Sequence, residues 1–370
     1  MSFDGRQLTT QLDADGTLTL KLAERSWDAP TGRNVLVRME AAPINPSDLG
    51  LLFASADVEN ADYGDGRLVA QMPEKATRAM SARHGKAMPA GNEGAGTVVA
   101  AGDDPAAQAL MGKRVACVPG AAYGTYATCD ASMAFAIGDD ITAEQAASSF
   151  VNPMTALGFT ETMKADGYTG IVHAAAASNL GQMLVRICTN DGIPLVNVVR
   201  SADQVKLLKD LGATHVIDMT EDGFIKRLAD AVEETGAMLG FDPIGGGTMA
   251  SDMLTAMEAQ ASRGAEFSRY GSSADKKVYI YGSLDTGPTM LSRGFGFTWD
   301  VSGWLLFPFL QKAGNEVRSR MQDRVLSELT TTFASHYSDR ITLDQMLQKD
   351  SVMTYNARKT GQKFLVQPNG

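Results

Sequence analysis

Along the first 140 residues, apolar and polar positions alternate in short bursts. Thr17-Leu-Thr-Leu-Lys-Leu22 and Asn34-Val-Leu-Val-Arg-Met-Glu40 have the period of two expected of half-buried strands. Gly94-Ala-Gly-Thr-Val-Val-Ala-Ala-Gly102 and Lys113-Arg-Val-Ala-Cys-Val-Pro119 are further strands bounded by Gly and Pro. Many short strands with frequent turns predict an irregular, barrel-like β-rich domain. Residues 54–90 interrupt the pattern and read as an insertion or lid without a clear element type.

From residue 142 the period changes. Thr142-Ala-Glu-Gln145 is a capping-box pattern that opens a helix. Asn152-Pro153 breaks it, and Pro153 suits the first position of a second helix. Strands and helices then alternate over 170–174, 179–190, 194–199, 203–211, 214–217, 221–235, 237–241, 248–260 and 277–282. That rhythm predicts a parallel, doubly wound α/β sheet. Residues 299–335 read as helical, and Gln362-Lys-Phe-Leu-Val366 as a strand returning to the first domain. The expected domains are 1–150 with 336–370, and 151–335.

With 370 residues the chain is long enough for two cores. A net charge of −10 argues against nucleic acid or an anionic membrane as partner. No apolar stretch has the length of a membrane span, and Met-Ser-Phe-Asp-Gly-Arg carries no signal-peptide pattern, so the expected compartment is the cytoplasm. Cys117, Cys129 and Cys188 lack metal-site spacing and read as reduced core thiols.

The densest chemistry lies between Ile171 and Arg200. Ile-Val-His-Ala-Ala-Ala-Ala-Ser-Asn-Leu-Gly181 reads as strand, small-residue turn and helix start, and Leu195-Val-Asn-Val-Val199 as the next strand. This is the opening βαβ unit of a dinucleotide-binding fold. Ala175, Ser178 and Gly181 occupy the places of its glycines, so a pyrophosphate is expected over Ala175, Ser178, Asn179, Leu180 and Gly181 at the helix N-terminus. Arg200 follows the second strand, where an acid would bond a ribose 2′-hydroxyl; an arginine there suits a 2′-phosphate, with Ser201 beside it. The expected cofactor is therefore NADP(H). Gly245 and Gly246 follow the fourth strand, and Gly282, Ser283 and Leu284 the fifth, so both loops are expected along the cofactor groove.

Six segments in order resemble the zinc-free branch of the medium-chain dehydrogenase/reductases, which includes quinone oxidoreductases and enoyl thioester reductases. They are Ala42-Pro-Ile-Asn-Pro-Ser-Asp48, Gly91-Asn-Glu-Gly-Ala-Gly96, Gly112-Lys-Arg-Val115, Val151-Asn-Pro-Met-Thr-Ala156, Leu211-Gly-Ala-Thr-His-Val-Ile217 and Phe241-Asp-Pro-Ile-Gly-Gly246. The resemblance implies a Rossmann domain joined to a GroES-like β-rich domain. In zinc-bearing relatives a Cys and a His stand where this chain has Asn45 and Asn92, so no metal is expected.

The resemblance further implies NADPH-dependent hydride transfer to a small conjugated carbonyl such as a quinone or enone. The alternatives are an enoyl-CoA or other enoyl thioester, or NADPH binding without turnover. Asn45, Asn152 and Thr155 are the implied residues at the nicotinamide end; Asp48 reads as a capping carboxylate. Enoyl thioester reductases of the family place a Tyr just after the Asn45 segment, and here Leu49-Gly-Leu-Leu-Phe53 follows. Tyr63, Tyr123 and Tyr126 are the candidate replacements as proton donor. His84, His173, His215 and His336 form no triad or metal pattern, and His173 reads as packing. Phe295-Gly-Phe-Thr-Trp299 and Trp304-Leu-Leu-Phe-Pro-Phe-Leu310 read as an acceptor wall, a buried helix core or a subunit interface. A homodimer is expected from the family's habit of pairing sheet edges near residues 278–290.

Overall fold

The structure, a computed structural model, describes residues 2–370. It divides into two units, one of the chain up to Val151 together with Leu326–Gly370, the other Asn152–Val325. The second unit thus ends ten residues before the boundary that the helical pattern suggests at 335.

The second unit is built on six parallel strands: β1 (Ile171–His173), β2 (Leu195–Val199), β3 (His215–Asp218), β4 (Leu239–Asp242), β5 (Lys276–Ile280) and β6 (Trp299–Gly303). Their spatial order is β3-β2-β1-β4-β5-β6, so the direction of winding reverses between β1 and β4. Every residue of β2 and β4 is buried, as a parallel sheet covered on both faces requires. The helices are α1 (Val151–Ala165), α2 (Asn179–Asp191), α3 (Ala202–Asp210), α4 (Phe224–Thr235), α5 (Met249–Ala261) and α6 (Leu306–Ser327). Their amphipathic faces pack Leu228, Val232, Met253, Leu254 and Met257 onto Val172, Val196 and Val278.

Two expectations change here. Residues 299–303 are a strand, paired with β5 from Lys276↔Trp299 to Ile280↔Gly303. The dense apolar run after it masked a short alternation in which Val301 and Ser302 are half-buried while Trp299, Asp300 and Gly303 are exposed. Beyond it, α6 is interrupted at Gly314, where φ is 85° and ψ 171°, and it ends at Ser327. Helix α1 begins at Val151, which places Pro153 at its third position. That position is still within the first turn, where a missing N–H breaks no helical bond.

The first unit carries two sheets. A five-stranded one runs in the order 62–64, 67–71, 17–28, 2–12, 88–89, and a seven-stranded one is centred on Asn34–Pro43. Residues 54–90 are therefore part of a sheet and not a separate lid. Arg67–Gln71 pairs antiparallel with Thr17–Lys21, and Met88 and Pro89 pair with Thr10 and Thr9. The strands are too short and too interspersed with charge to show a period. Phe364–Val366 returns to this unit, pairing Leu365 with Pro43 and Val366 with Ala42, as its apolar run predicts.

One buried ion pair fixes the long connection before β5. Lys276 Nζ lies 2.8 Å from Glu258 Oε2, with the two side chains 0% and 9% exposed. Ser272 donates its backbone N–H and its hydroxyl to the same carboxylate, at 2.7 and 2.6 Å. Burial pushes the Glu258 carboxyl up, but the bonds from Lys276, Ser272 and Ser262 outweigh it and set the group at about 2. A depressed carboxylate stabilises the fold above its ordinary value of 4.5, and that stability is lost as pH falls through about 2. Lys276→Met is expected to cost about 3 kcal/mol at neutral pH, because it leaves a buried carboxylate without its cation. Urea unfolding of both proteins between neutral and acid pH checks this. The gap between them should narrow below the ordinary carboxylate range; a gap that ignores pH rejects the assignment.

Candidate active site

The turn after β1 is where the sequence pattern expects a phosphate cradle. Ala175 adopts a left-handed φ of 49°, uncommon for a residue with a Cβ. Its neighbours hold it there: Ala174 N–H donates to Phe241 O at 3.1 Å, Ala176 N–H to Val198 O at 3.1 Å, and Ser178 N–H to Ala175 O at 3.0 Å. Ser178 caps α2, its hydroxyl accepting from Gly181 N–H at 3.1 Å. A Cβ on Gly181 would lie 2.1 Å from Ala176 O, so only glycine lets the helix pack this close to its own turn. Asn179 opens the helix, and Leu180 points into the core.

Arg200 is exposed directly after β2. Its backbone N–H donates to Gln204 Oε1 at 3.0 Å, while Ser201 Oγ accepts from Gln204 N–H at 3.4 Å, a reciprocal cap that starts α3. The Arg200 guanidinium meets no carboxylate among the described residues.

The two glycine loops are zipped together. Leu284 N–H donates to Pro243 O at 3.1 Å and Asp285 N–H to Ile244 O at 2.9 Å. A Cβ on Gly245 would stand 2.7 Å from Gly282 O, and one on Gly282 would stand 2.6 Å from Pro243 O. These glycines serve close backbone approach. Gly246 lies against Asp285, and Ser283 and Leu284 are exposed at the rim.

In the first unit, Asn45 and Asp48 share a buried network with a residue that the spacing did not single out, Glu93. Asn45 Nδ2 donates to Glu93 Oε1 at 2.9 Å. Glu93 Oε2 accepts from the backbone N–H groups of Phe150 and Val151, at 2.8 and 2.9 Å, which places a carboxylate at the start of α1. Asp48 accepts from the backbone of Asn45 and of Asn92, at 2.8 and 2.9 Å, so it is the expected cap. Burial pushes the Asp48 carboxyl up to about 6, with the Glu93 charge adding to it, against the bonds from those amides and from Tyr123.

Lys363 is the second residue missed. Its Nζ is buried with no hydrogen-bond partner, and burial lowers it to about 8 against the pull of the Glu93 and Asp48 charges. The only hint in the sequence is a lysine set directly before an apolar strand.

Two of the three tyrosine hydroxyls are committed elsewhere. Tyr63 OH donates to Val58 O at 2.6 Å and Tyr123 OH to Pro43 O at 2.9 Å; Tyr126 packs edge-on against Phe3 and Trp27. His84 bonds Thr77 O, and His215 faces Glu234. In the second unit, Asn152 and Thr155 are buried and lie one turn apart on α1. Of the aromatic runs, Phe295 and Trp304 are buried, whereas Phe297, Leu305 and Phe307 are exposed.

A family model described as zinc-binding dehydrogenase matches residues 180–284. The mitochondrial enoyl-[acyl-carrier-protein] reductase of Xenopus tropicalis is 31% identical over 226 residues, 58% of this chain and 57% of that protein. The chain spans little more than half the length of the first curated relatives it matches. A Mesorhizobium loti structure, assigned provisionally as an NADPH:quinone reductase, superposes with a TM-score of 0.75 at 23% identity over 99% of this chain and 98% of that one. A mycobacterial structure complexed with NADPH gives a TM-score of 0.67 at 20% identity over 98% and 100%.

The chain shares the fold of these reductases and resembles the medium-chain dehydrogenases/reductases in its nucleotide-binding segment. Asn45 turns an N–H toward Glu93, Asn92 Nδ2 donates to Ser47 Oγ at 3.0 Å, and the cysteines are buried and free. Among the described residues, no group of three His, Cys, Asp or Glu side chains is placed to hold a metal.

The Glu93 network yields a stability prediction. Glu93→Gln places an NH₂ against one of three N–H donors, and should cost about 2 kcal/mol through the orphaned group. Thermal unfolding measures it; an unchanged transition contradicts the network.

Proposed function

We propose that this chain is a zinc-independent, NADPH-dependent reductase of conjugated carbonyl acceptors, quinones or enones. The observation that carries the reading is Arg200, exposed just after β2 with a guanidinium that no carboxylate neutralises. It suits a 2′-phosphate better than a ribose hydroxyl. The cradle fits the rest of the dinucleotide: Ala175, Ser178, Asn179, Leu180 and Gly181 would hold the pyrophosphate, with Ser201 beside Arg200. Gly245, Gly246, Gly282, Ser283 and Leu284 would line the nicotinamide half. When bound, the cofactor supplies the hydride.

The chain's own residues then bind and orient. Asn152 and Thr155 of the second unit supply an amide and a hydroxyl for the ribose or an acceptor carbonyl, and Asn45 is the candidate amide of the first unit. Glu93 holds the Asn45 amide and the start of α1 in fixed positions. Tyr63 and Tyr123 give their hydroxyl protons to backbone carbonyls, and this favours quinones, whose reduced oxygens take protons from water. The names of the curated relatives favour the alternative, an enoyl thioester. Three buried, free cysteines suit a reducing compartment such as the cytoplasm, and no helix among the described residues is long and apolar enough to cross a membrane.

Titration with NADPH and NADH, followed by turnover with a quinone, an enone and an enoyl-CoA, tests this reading. NADPH-selective binding with quinone or enone turnover is expected. Preference for the thioester transfers the assignment to an enoyl reductase, and binding without any turnover leaves a cofactor-binding protein. Arg200→Ala should weaken NADPH binding about tenfold and leave NADH unchanged, on the scale of a charge-assisted bond; equal losses reject the 2′-phosphate role.

The open edge of β6 supports a homodimer. Trp299 in it, and Met290, Leu291 and Phe297 just before it, are exposed. An unpaired edge with apolar flanks suits isologous pairing with a second copy. Sedimentation equilibrium at micromolar concentration should give a dimer; a monomer rejects the edge pairing.

A further inference from the structure

One hydrogen bond spans the place where the sheet reverses its winding. His173, the last residue of β1, meets the hydroxyl of Tyr281, the first residue past β5, through Nε2 at 2.7 Å. Strand β4 lies between β1 and β5. In the strand register, its Phe241 stands opposite His173 on one side and Tyr279 on the other. The bond therefore joins the two mononucleotide halves of the sheet at their carboxyl ends. Phe159 closes the group from α1, stacked on Phe241 at 4.0 Å and edge-on to Tyr281 at 4.7 Å.

The pair is costly as packing. His173 is fully buried, and its Nδ1 has no partner. Two apolar rings of the same shape would fill this space with no orphaned nitrogen. Burial holds the imidazole at about 3 and the Tyr281 phenol well above its ordinary range, so both are neutral at working pH. What a neutral, directional bond adds over packing is a fixed ring position. Tyr281 is tied at its backbone as well, its N–H donating to Asp242 O at 3.0 Å. The next residues are Gly282, Ser283 and Leu284, zipped to Pro243 through Leu284 N–H.

We infer that the His173–Tyr281 hydrogen bond is a positioning contact for the nicotinamide half, setting the Gly282–Leu284 backbone that receives the nicotinamide end of NADP(H). The inference rests on the cofactor reading given above. Neither side chain needs to touch the reacting atoms; both act through the loop that Tyr281 begins.

Two ligands separate this role from a purely structural one. NADPH carries both halves; 2′-phospho-ADP-ribose carries the adenosine half and lacks the nicotinamide. Tyr281→Phe removes the hydroxyl and keeps the ring. It should weaken NADPH binding about fivefold to tenfold, the range of one net hydrogen bond, and leave 2′-phospho-ADP-ribose within about twofold. His173→Gln keeps a donor and an acceptor near Tyr281 and should recover part of the NADPH affinity relative to Tyr281→Phe. If the tyrosine variant does not fold, His173→Leu, which removes the nitrogen that meets Tyr281, decides by the same ligand comparison. Equal losses for both ligands, or none, in a folded variant overturn the inference while the cofactor reading stands. Wild-type protein that binds neither ligand overturns both.

Discussion

The phosphate side of the second unit depends on how closely α2 approaches the turn that feeds it. The gap is set by Ala176 O, which would lie 2.1 Å from any Cβ at position 181. With glycine there, the helix starts directly over the turn, and its N-terminal partial charge falls where the chain leaves β1. The turn must then pass through a left-handed conformation at Ala175, a strain on the order of 1 kcal/mol. Backbone bonds to β2 and β4 hold that strain in place, so the cradle is rigid because the sheet on either side is. The degenerate glycine pattern is thus physically adequate: only position 181 lacks room for a methyl group.

In the first unit, a buried carboxylate organises the residues around it. Glu93 accepts from one amide side chain and two backbone N–H groups, and Lys363 faces it without a bond of its own. Burial pushes the Glu93 carboxyl up, against the Lys363 charge and the bonds from Val151, Phe150 and Asn45. Each asparagine amide donates to an oxygen acceptor, Glu93 for one and Ser47 for the other.

Much of the second unit was legible because its strands are buried on both faces and its helices have clear periods. The ends of β1, β2, β4 and β5 fall within two residues of where the pattern puts them. The candidate cofactor residues follow, since they sit at strand ends. Legibility fails where the period is short or diluted. The strand at Trp299–Gly303 has only five residues beside a denser apolar run, and Arg67–Gln71 sits among charges. Long-range partners were beyond reach. Nothing local to Glu93 announces Phe150, and nothing local to His173 announces Tyr281, because each bond joins residues that only the folded topology brings together.

The overall charge sets one further condition on the site. A chain of net charge −10 repels an anionic ligand at long range, yet screening confines that repulsion to about 8 Å at physiological ionic strength. Within that distance, the pairing of individual groups decides. Arg263 is held by Asp230 and Glu233, Arg324 by Asp191, and Arg340 by Glu144, so those cations are neutralised where they stand. Arg200 has no such partner, and it stands at the end of β2, the strand that holds the cradle turn through Val198 O. Arg200 thus offers an exposed, unneutralised cation directly before the N-terminus of α3, in a protein whose overall charge is acidic.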